Sequence, residues 1–234
     1  MNIIDVVATK FNPNLRILKN YIIIYEINLI KLLDLNGKLL DNIIFENCKI
    51  VNIEILNDNF IVIAFYFSIL IMKINYYGLL AFHDTIKLSI KEQISNILKI
   101  RNSNLFVISC KNKMKIYEIN QSNKKLIQEI NNGSISCLNF HHNMFISYNF
   151  EYISLYQSIM GTKIYQLSSK IKLFGNKCLT KLNGKILLVL LDNYKLYAIN
   201  LKSMEIELIN FPIKNKNQRS DLYDELFFLF EKGN

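Results

Sequence analysis

The sequence predicts an all-β fold, a β-propeller of about five recognisable four-stranded blades followed by a short C-terminal helix. Three observations predict it. The segment Tyr117-Glu118-Ile119-Asn120 recurs as Leu33-Asp34-Leu35-Asn36, Met72-Lys73-Ile74-Asn75, Tyr156-Gln157-Ser158 and Tyr197-Ala198-Ile199-Asn200, at steps of 39, 45, 39 and 41 residues. A period of about 40 to 45 residues made of strands alone is that of propeller blades. Between these anchors lie apolar runs of strand length bounded by Asn, Asp and Gly, and the first and last repeats align without a gap, Leu15 on Leu179 and Ile22-Ile23-Ile24 on Ile186-Leu187-Leu188.

Taken in order, Met1 to Thr9 is a β-prone segment ahead of the repeats, placed to complete the last blade, and it ends at the turn signal Asn12-Pro13-Asn14. Repeats then occupy approximately 14–46, 49–84, 93–131, 134–168 and 176–211, within a propeller domain of residues 1–212. The first holds strands at Leu15–Leu18, Tyr21–Ile27, Leu29–Leu35 and Leu39–Phe45, with Asn36-Gly37 as a hairpin turn. The second places them at Ile50–Leu56, Phe60–Phe67, Ile69–Ile74 and Leu79–His83, leaving Thr85–Glu92 as a charged connection. The third, fourth and fifth begin at Ile94, Ile135 and Lys177 and follow the same plan. Second strands such as Lys185–Leu190 are almost wholly apolar, as a strand covered on both faces should be, whereas third and fourth strands alternate. The apolar window Phe60–Met72 is too short to span a bilayer and reads as two buried strands.

Residues 213–234 form a basic linker and an amphipathic segment. Ser220 or Asp221 can cap a short helix with acids in its first turn, and Leu222, Tyr223, Leu226, Phe227 and Phe230 share one face. So many apolar side chains on an appendage require cover, which marks these five as candidate partner-binding residues.

The chain is 234 residues long, 51% hydrophobic, with a net charge of +9 and a pI near 9.2. The excess is almost all Lys, with Arg only at 16, 101 and 219, while Ile (39) and Asn (31) are over-used. That bias is as much the mark of AT-rich coding as of function, and bidentate phosphate recognition favours Arg. Candidate RNA contacts are Lys214, Lys216 and Arg219 in the tail, with Lys111, Lys113, Lys124 and Lys125 as a second patch; each is equally explained as solvated surface. Cys48, Cys110, Cys137 and Cys178 contain no CxxC pair and read as reduced core thiols of an intracellular protein, nuclear or cytoplasmic. Met1 to Lys10 carries Asp5 and lacks a basic start and a small-residue cleavage site, so no signal peptide is expected.

The repeats resemble those of WD40-type β-propellers. Tyr117-Glu118, Tyr197-Ala198 and Leu33-Asp34 stand where that family's Trp-Asp dipeptide ends the third strand, and Asp192 matches the Asp of the preceding turn. There is no Trp and no Gly-His dipeptide at a repeat opening. Within that family the chain is similar to the non-catalytic WD-repeat subunits of tRNA guanine-N7 methyltransferases, through Ser220-Asp221-Leu222-Tyr223 with Phe227 and through Met160-Gly161-Thr162-Lys163. This resemblance implies a protein partner that is a methyltransferase catalytic subunit, with RNA reached through the complex.

No catalytic constellation converges. Cys137 with His141-His142 offers only three candidate metal ligands without a second pair at zinc spacing, His83-Asp84 lacks a nucleophile or metal partner, and neither GxGxxG nor GxxxxGK[ST] occurs. The expectation is therefore a non-enzymatic scaffold with no cofactor, no metal and no membrane partner, which binds and positions a protein. The competing reading is an architectural propeller subunit of a coat, pore-type or RNA-processing assembly.

Overall fold

A computed structural model describes residues 14–17, 20–57, 60–101, 103–120, 123–141, 144–175, 177–182, 186–191, 195–200, 203 and 205–209. The leading segment 1–9 and the whole of 213–234, including the expected C-terminal helix, lie outside the described residues.

Twenty strands form five four-stranded antiparallel sheets, each a meander in chain order. The first contains β1 (Asn14–Ile17), β2 (Tyr21–Tyr25), β3 (Leu29–Asp34) and β4 (Leu39–Ile44). The second contains β5 (Asn52–Asn57), β6 (Phe60–Ala64), β7 (Ser68–Ile74) and β8 (Leu80–Lys87), and the third β9 (Ile94–Lys99), β10 (Leu105–Cys110), β11 (Met114–Ile119) and β12 (Lys124–Ile130). In the fourth are β13 (Ser136–His141), β14 (Met144–Tyr148), β15 (Tyr152–Ser158) and β16 (Tyr165–Lys172). The fifth has β17 (Lys177–Leu182), β18 (Ile186–Leu191), β19 (Leu196–Asn200) and β20 (Ile206–Ile209). The chain divides into two compact units, Met1–Cys137 and Leu138–Asn234, with the boundary inside β13.

The repeating tetrapeptide has a structural counterpart. In the first four sheets the pairing of third and fourth strands slips once, between Leu32 and Leu33, Ile71 and Met72, Ile116 and Tyr117, and Leu155 and Tyr156. The second residue of each pair is the anchor from which the period is counted. A bulge adds local twist and re-aims the strand end, so the period marks where each outer hairpin bends. The fifth sheet pairs β19 with β20 without a slip.

The turns explain themselves from the sequence. Asp34 Oδ1 accepts the backbone N–H of Asn36 and Lys38, and Asn75 Oδ1 accepts those of Tyr77 and Leu79, both at 2.9 to 3.0 Å. Each of these two turns closes through a glycine with positive φ, Gly37 at 83° and Gly78 at 73°. An Asx side chain followed three residues later by Gly thus builds the same hairpin twice.

In the first unit, β6 is buried along its whole length because it is covered on both faces. Ile61 and Ile63 pack with Ile23, Ile30, Leu32 and Ile53, while Val62 and Ala64 pack with Ile97, Phe106 and Ile108. In the second unit Leu187, Val189 and Leu191 of β18 pack with Ile146, Ile153 and Leu155.

Three expectations need correction. Thr85–Lys87 are not a connection but the end of β8. Cys48 is exposed, on the link after β4, whereas Cys110 and Cys137 are buried. The gapless match of first and last repeats holds for facing but not for pairing: Ile22 lies opposite Leu33, whereas Ile186 lies opposite Asn200 rather than Tyr197. The physical reason is a longer second connection in the fifth sheet, which closes from Leu191 N–H to Lys195 O, where the first closes from Glu26 N–H to Leu29 O.

Candidate functional site: a satisfied polar seam and an apolar turn face

The first strands of successive sheets carry a polar residue just before a buried one: Asn52 before Ile53, Asn96 before Ile97, Ser136 before Cys137. Asn52 Nδ2 donates to Asn96 Oδ1 at 2.6 Å and to Ile97 O at 3.1 Å, and Asn96 Nδ2 donates to Ser136 Oγ. Asn52 Oδ1 accepts Tyr25 Oη–H at 3.1 Å, Arg16 at 3.4 Å and its neighbour Ile53 N–H at 2.8 Å. Both amides in this ladder are bonded through their oxygen and their nitrogen, and no buried side-chain N or O among the described residues lacks a partner. Such a network stitches the second, third and fourth sheets' first strands together.

Glu54 lies two residues beyond Asn52 on the same face of β5, between Arg16 of β1 and Lys99 of β9. Burial raises its pKa from 4.5 to about 7, against the pull of Arg16 and a hydrogen bond from the Lys99 backbone. Among the described residues no group of three or more His, Cys, Asp or Glu side chains is placed to hold a metal ion.

The residues singled out from sequence separate in the structure. Lys113 pairs with Glu92 and, at 3.0 Å, with Glu129, while Lys124 pairs with Asp84 at 2.5 Å and donates to Thr85 O. Lys111 and Lys125 are exposed, so the second basic patch retains about half its charge for an outside partner. Asp84 is thereby occupied, and its neighbour His83 stands edge-on to Phe60 at 4.9 Å, so the two make no dyad. Cys137 Sγ lies 3.1 Å from Ser109 Oγ and 3.8 Å from Met114 Sδ, and burial lifts its pKa to about 11, a protonated thiol at neutral pH. The side chains of His141 and His142 are not among those described, nor are Lys214, Lys216, Arg219, Leu222, Tyr223, Leu226, Phe227 and Phe230.

In a meander, the turn between second and third strands and the link leaving the fourth strand lie at the same end of the sheet. In the first unit these are bonded to one another three times over: Ile50 N–H to Ile27 O, Leu88 N–H to Phe67 O with Ile94 N–H to Tyr66 O, and Ser134 N–H to Cys110 O. Gly133 belongs to this packing, because a Cβ there would sit 1.7 Å from Lys111 O. Ile27, Tyr66, Phe67 and Ile90 are nevertheless exposed on these segments, Ile90 at 85%. At the opposite end of the second sheet, Tyr76 and Tyr77 project at 96% and 81%. Sequence reasoning passed over these residues because exposure of a short apolar turn is decided by packing elsewhere; the alternation Asn-Ile, Asn-Ile, Ser-Cys at first strands was the available signal for the seam.

No family model matches the chain, and no curated protein matches it. Solved structures do. The C-terminal WD40 domain of Sif2 superposes with a TM-score of 0.62 at 14% identity, over 84% of this chain and 58% of that one. The fold is a WD40-like β-propeller. Hsv2 of Kluyvelomyces marxianus gives 0.57 at 16% identity, over 82% of this chain and 59% of that one. A Bacteroides fragilis protein provisionally assigned as a 6-phosphogluconolactonase gives 0.63 at 12% identity, over 84% and 68%. The chain thus spans less than two thirds of the Sif2 domain and of Hsv2. Likeness at these identities establishes the architecture and carries no activity.

Proposed function

We propose that the chain is a non-catalytic propeller scaffold that binds and positions a protein partner. The observation that carries this reading is the pairing of a saturated polar interior with apolar side chains presented on pinned turns. Tyr66, Phe67 and Ile90 are exposed on segments held by several backbone hydrogen bonds, so docking on them would lose little conformational entropy. Exposed aromatics on a rigid frame are the usual anchors of protein interfaces.

In its most specific form, the reading is of a subunit of a tRNA guanine-N7 methyltransferase complex, with RNA bound mainly through the assembly. Support for that form is the resemblance at Met160–Lys163 and in the tail. Met160 is fully exposed on the β15–β16 turn, which closes from Ile159 N–H to Ile164 O. Affinity capture of the tagged protein from its own cells, washed at high salt and read by mass spectrometry, tests both levels. Recovery of one methyltransferase supports the specific form. Recovery of a salt-resistant set of structural subunits replaces it with an architectural role, and the absence of any stoichiometric protein overturns the scaffold reading.

A further inference from the structure

We infer that the turn face of the second and third sheets is a docking surface for an acidic segment of a partner protein bearing aromatic or aliphatic side chains. The inference rests on the scaffold reading and adds the site and the chemistry of its occupant.

The surface is continuous across two sheets. The link 88–93 is fastened to the β6–β7 turn by the bonds of Leu88 and Ile94, and closed on itself by Glu92 N–H to Ser89 O at 2.8 Å. Glu92 then crosses to the third sheet, bonding Lys113 and, at 2.9 Å, Lys115. Tyr66, Phe67 and Ile90 are therefore presented by segments that cannot easily fold them away, and Lys87 at the end of β8, Lys91 on the link and Lys111 on the β10–β11 turn are exposed at the same end of these sheets.

Charge decides what fits. The acids of this surface are already spent, Glu92 on Lys113 and Lys115 and Glu129 on Lys113. Lys87, Lys91 and Lys111 have no ion pair among the described residues, so the apolar strip shares its end of the sheets with uncompensated positive charge. At the corresponding end of the first sheet Glu26 and Glu46 outnumber Lys49, so the net positive charge lies on the second and third. A basic segment would meet only like charge, and a neutral one would leave the lysines unused. An oligonucleotide shares the charge but is answered here by three lysines, Lys87, Lys91 and Lys111, and no arginine, whereas aliphatic Ile90 and the half-exposed ring of Phe67 fit apolar side chains.

The test uses the full-length protein and three synthetic peptides of about 12 residues with the same Phe and Leu content, whose other positions are all acidic, all amide or all Lys. Fluorescence anisotropy is expected to show binding of the acidic peptide alone. A Lys91→Glu/Lys111→Glu variant should weaken it at least about tenfold, and Phe67→Ser/Ile90→Ser should reduce it below detection, with thermal melts confirming that both variants fold. Equal binding of amide and acidic peptides, acidic binding untouched by either variant, or no binding of the acidic peptide would overturn the inference. So would displacement of the acidic peptide by a short oligouridylate at lower concentration than unlabelled peptide. If these fail while a stoichiometric protein is still captured from cells, the scaffold reading stands and only this site is lost.

Discussion

Replacing Glu54 with Gln should remove the pH dependence of stability that this carboxyl imposes. The folded protein holds the Glu54 proton to about pH 7 while the unfolded chain releases it near 4.5. Between those values the folded state binds more protons than the unfolded, so stability is fully present below about 4.5, falls as pH rises, and levels off above about 7. The difference corresponds to ~3 kcal/mol at most. Arg16 and Lys99, which face the carboxyl from β1 and β9, recover some of the cost of its ionised form. Glu54→Gln keeps an acceptor for the Lys99 backbone and removes the charge. The variant should match the wild type at pH 5 and exceed it by ~2 to 3 kcal/mol at pH 8. Urea denaturation midpoints at half-unit intervals from pH 5 to 8.5 measure this directly. Parallel curves for the two proteins would refute the reasoning, because they would mean that Glu54 is solvated enough to ionise normally.

Glu92 should behave in the opposite sense. Burial disfavours its charge, yet Lys113 and Lys115 overcome that and hold its pKa at about 2, so its contribution is present above about 4.5 and lost as pH falls toward 2. Glu92→Gln should flatten the acid limb of the same denaturation profile and lower the midpoint at pH 7. Gly133→Ala forces a Cβ to within 1.7 Å of Lys111 O, a backbone clash that should cost more than ~2 kcal/mol and appear as a lowered melting temperature. Asn96→Ala removes the middle of the ladder and leaves Asn52 Nδ2 with Ile97 O alone, a loss of ~1 to 2 kcal/mol by chemical denaturation. Phe106→Ala empties a fully buried position facing Val62 and Ala64 and should cost ~3 to 5 kcal/mol, large enough to read from soluble yield.

Much of the architecture was legible in the chain alone. Apolar runs such as Phe60–Ala64 and Leu105–Cys110 become fully buried second strands because a strand covered on both faces has no use for alternation. Asp34 with Gly37 and Asn75 with Gly78 specify their turns locally, through an Asx side chain and a residue that accepts positive φ. The 40-residue period was readable for the same reason: the first four anchors sit at bulges whose geometry is set within one hairpin.

What only the tertiary structure decided are the relations between sheets. Asn52, Asn96 and Ser136 are 44 and 40 residues apart, and although each precedes a buried residue, the sequence does not say that their side chains meet. Lys113 and Lys124 look like free charge in a composition count, but each has a carboxylate partner, Lys124 reaching back 40 residues to Asp84. Cys48 reads as a core thiol by type and is exposed because it falls on a link between blades. Ile90 and Phe67 belong to the most apolar residue types and remain in solvent, because the backbone bonds that pin their segments leave no neighbour to cover them. Strand identity follows from residues within a few positions of one another. Pairing, burial of charge and the surface left for a partner follow from contacts across a whole repeat length, and these form only when the blades assemble.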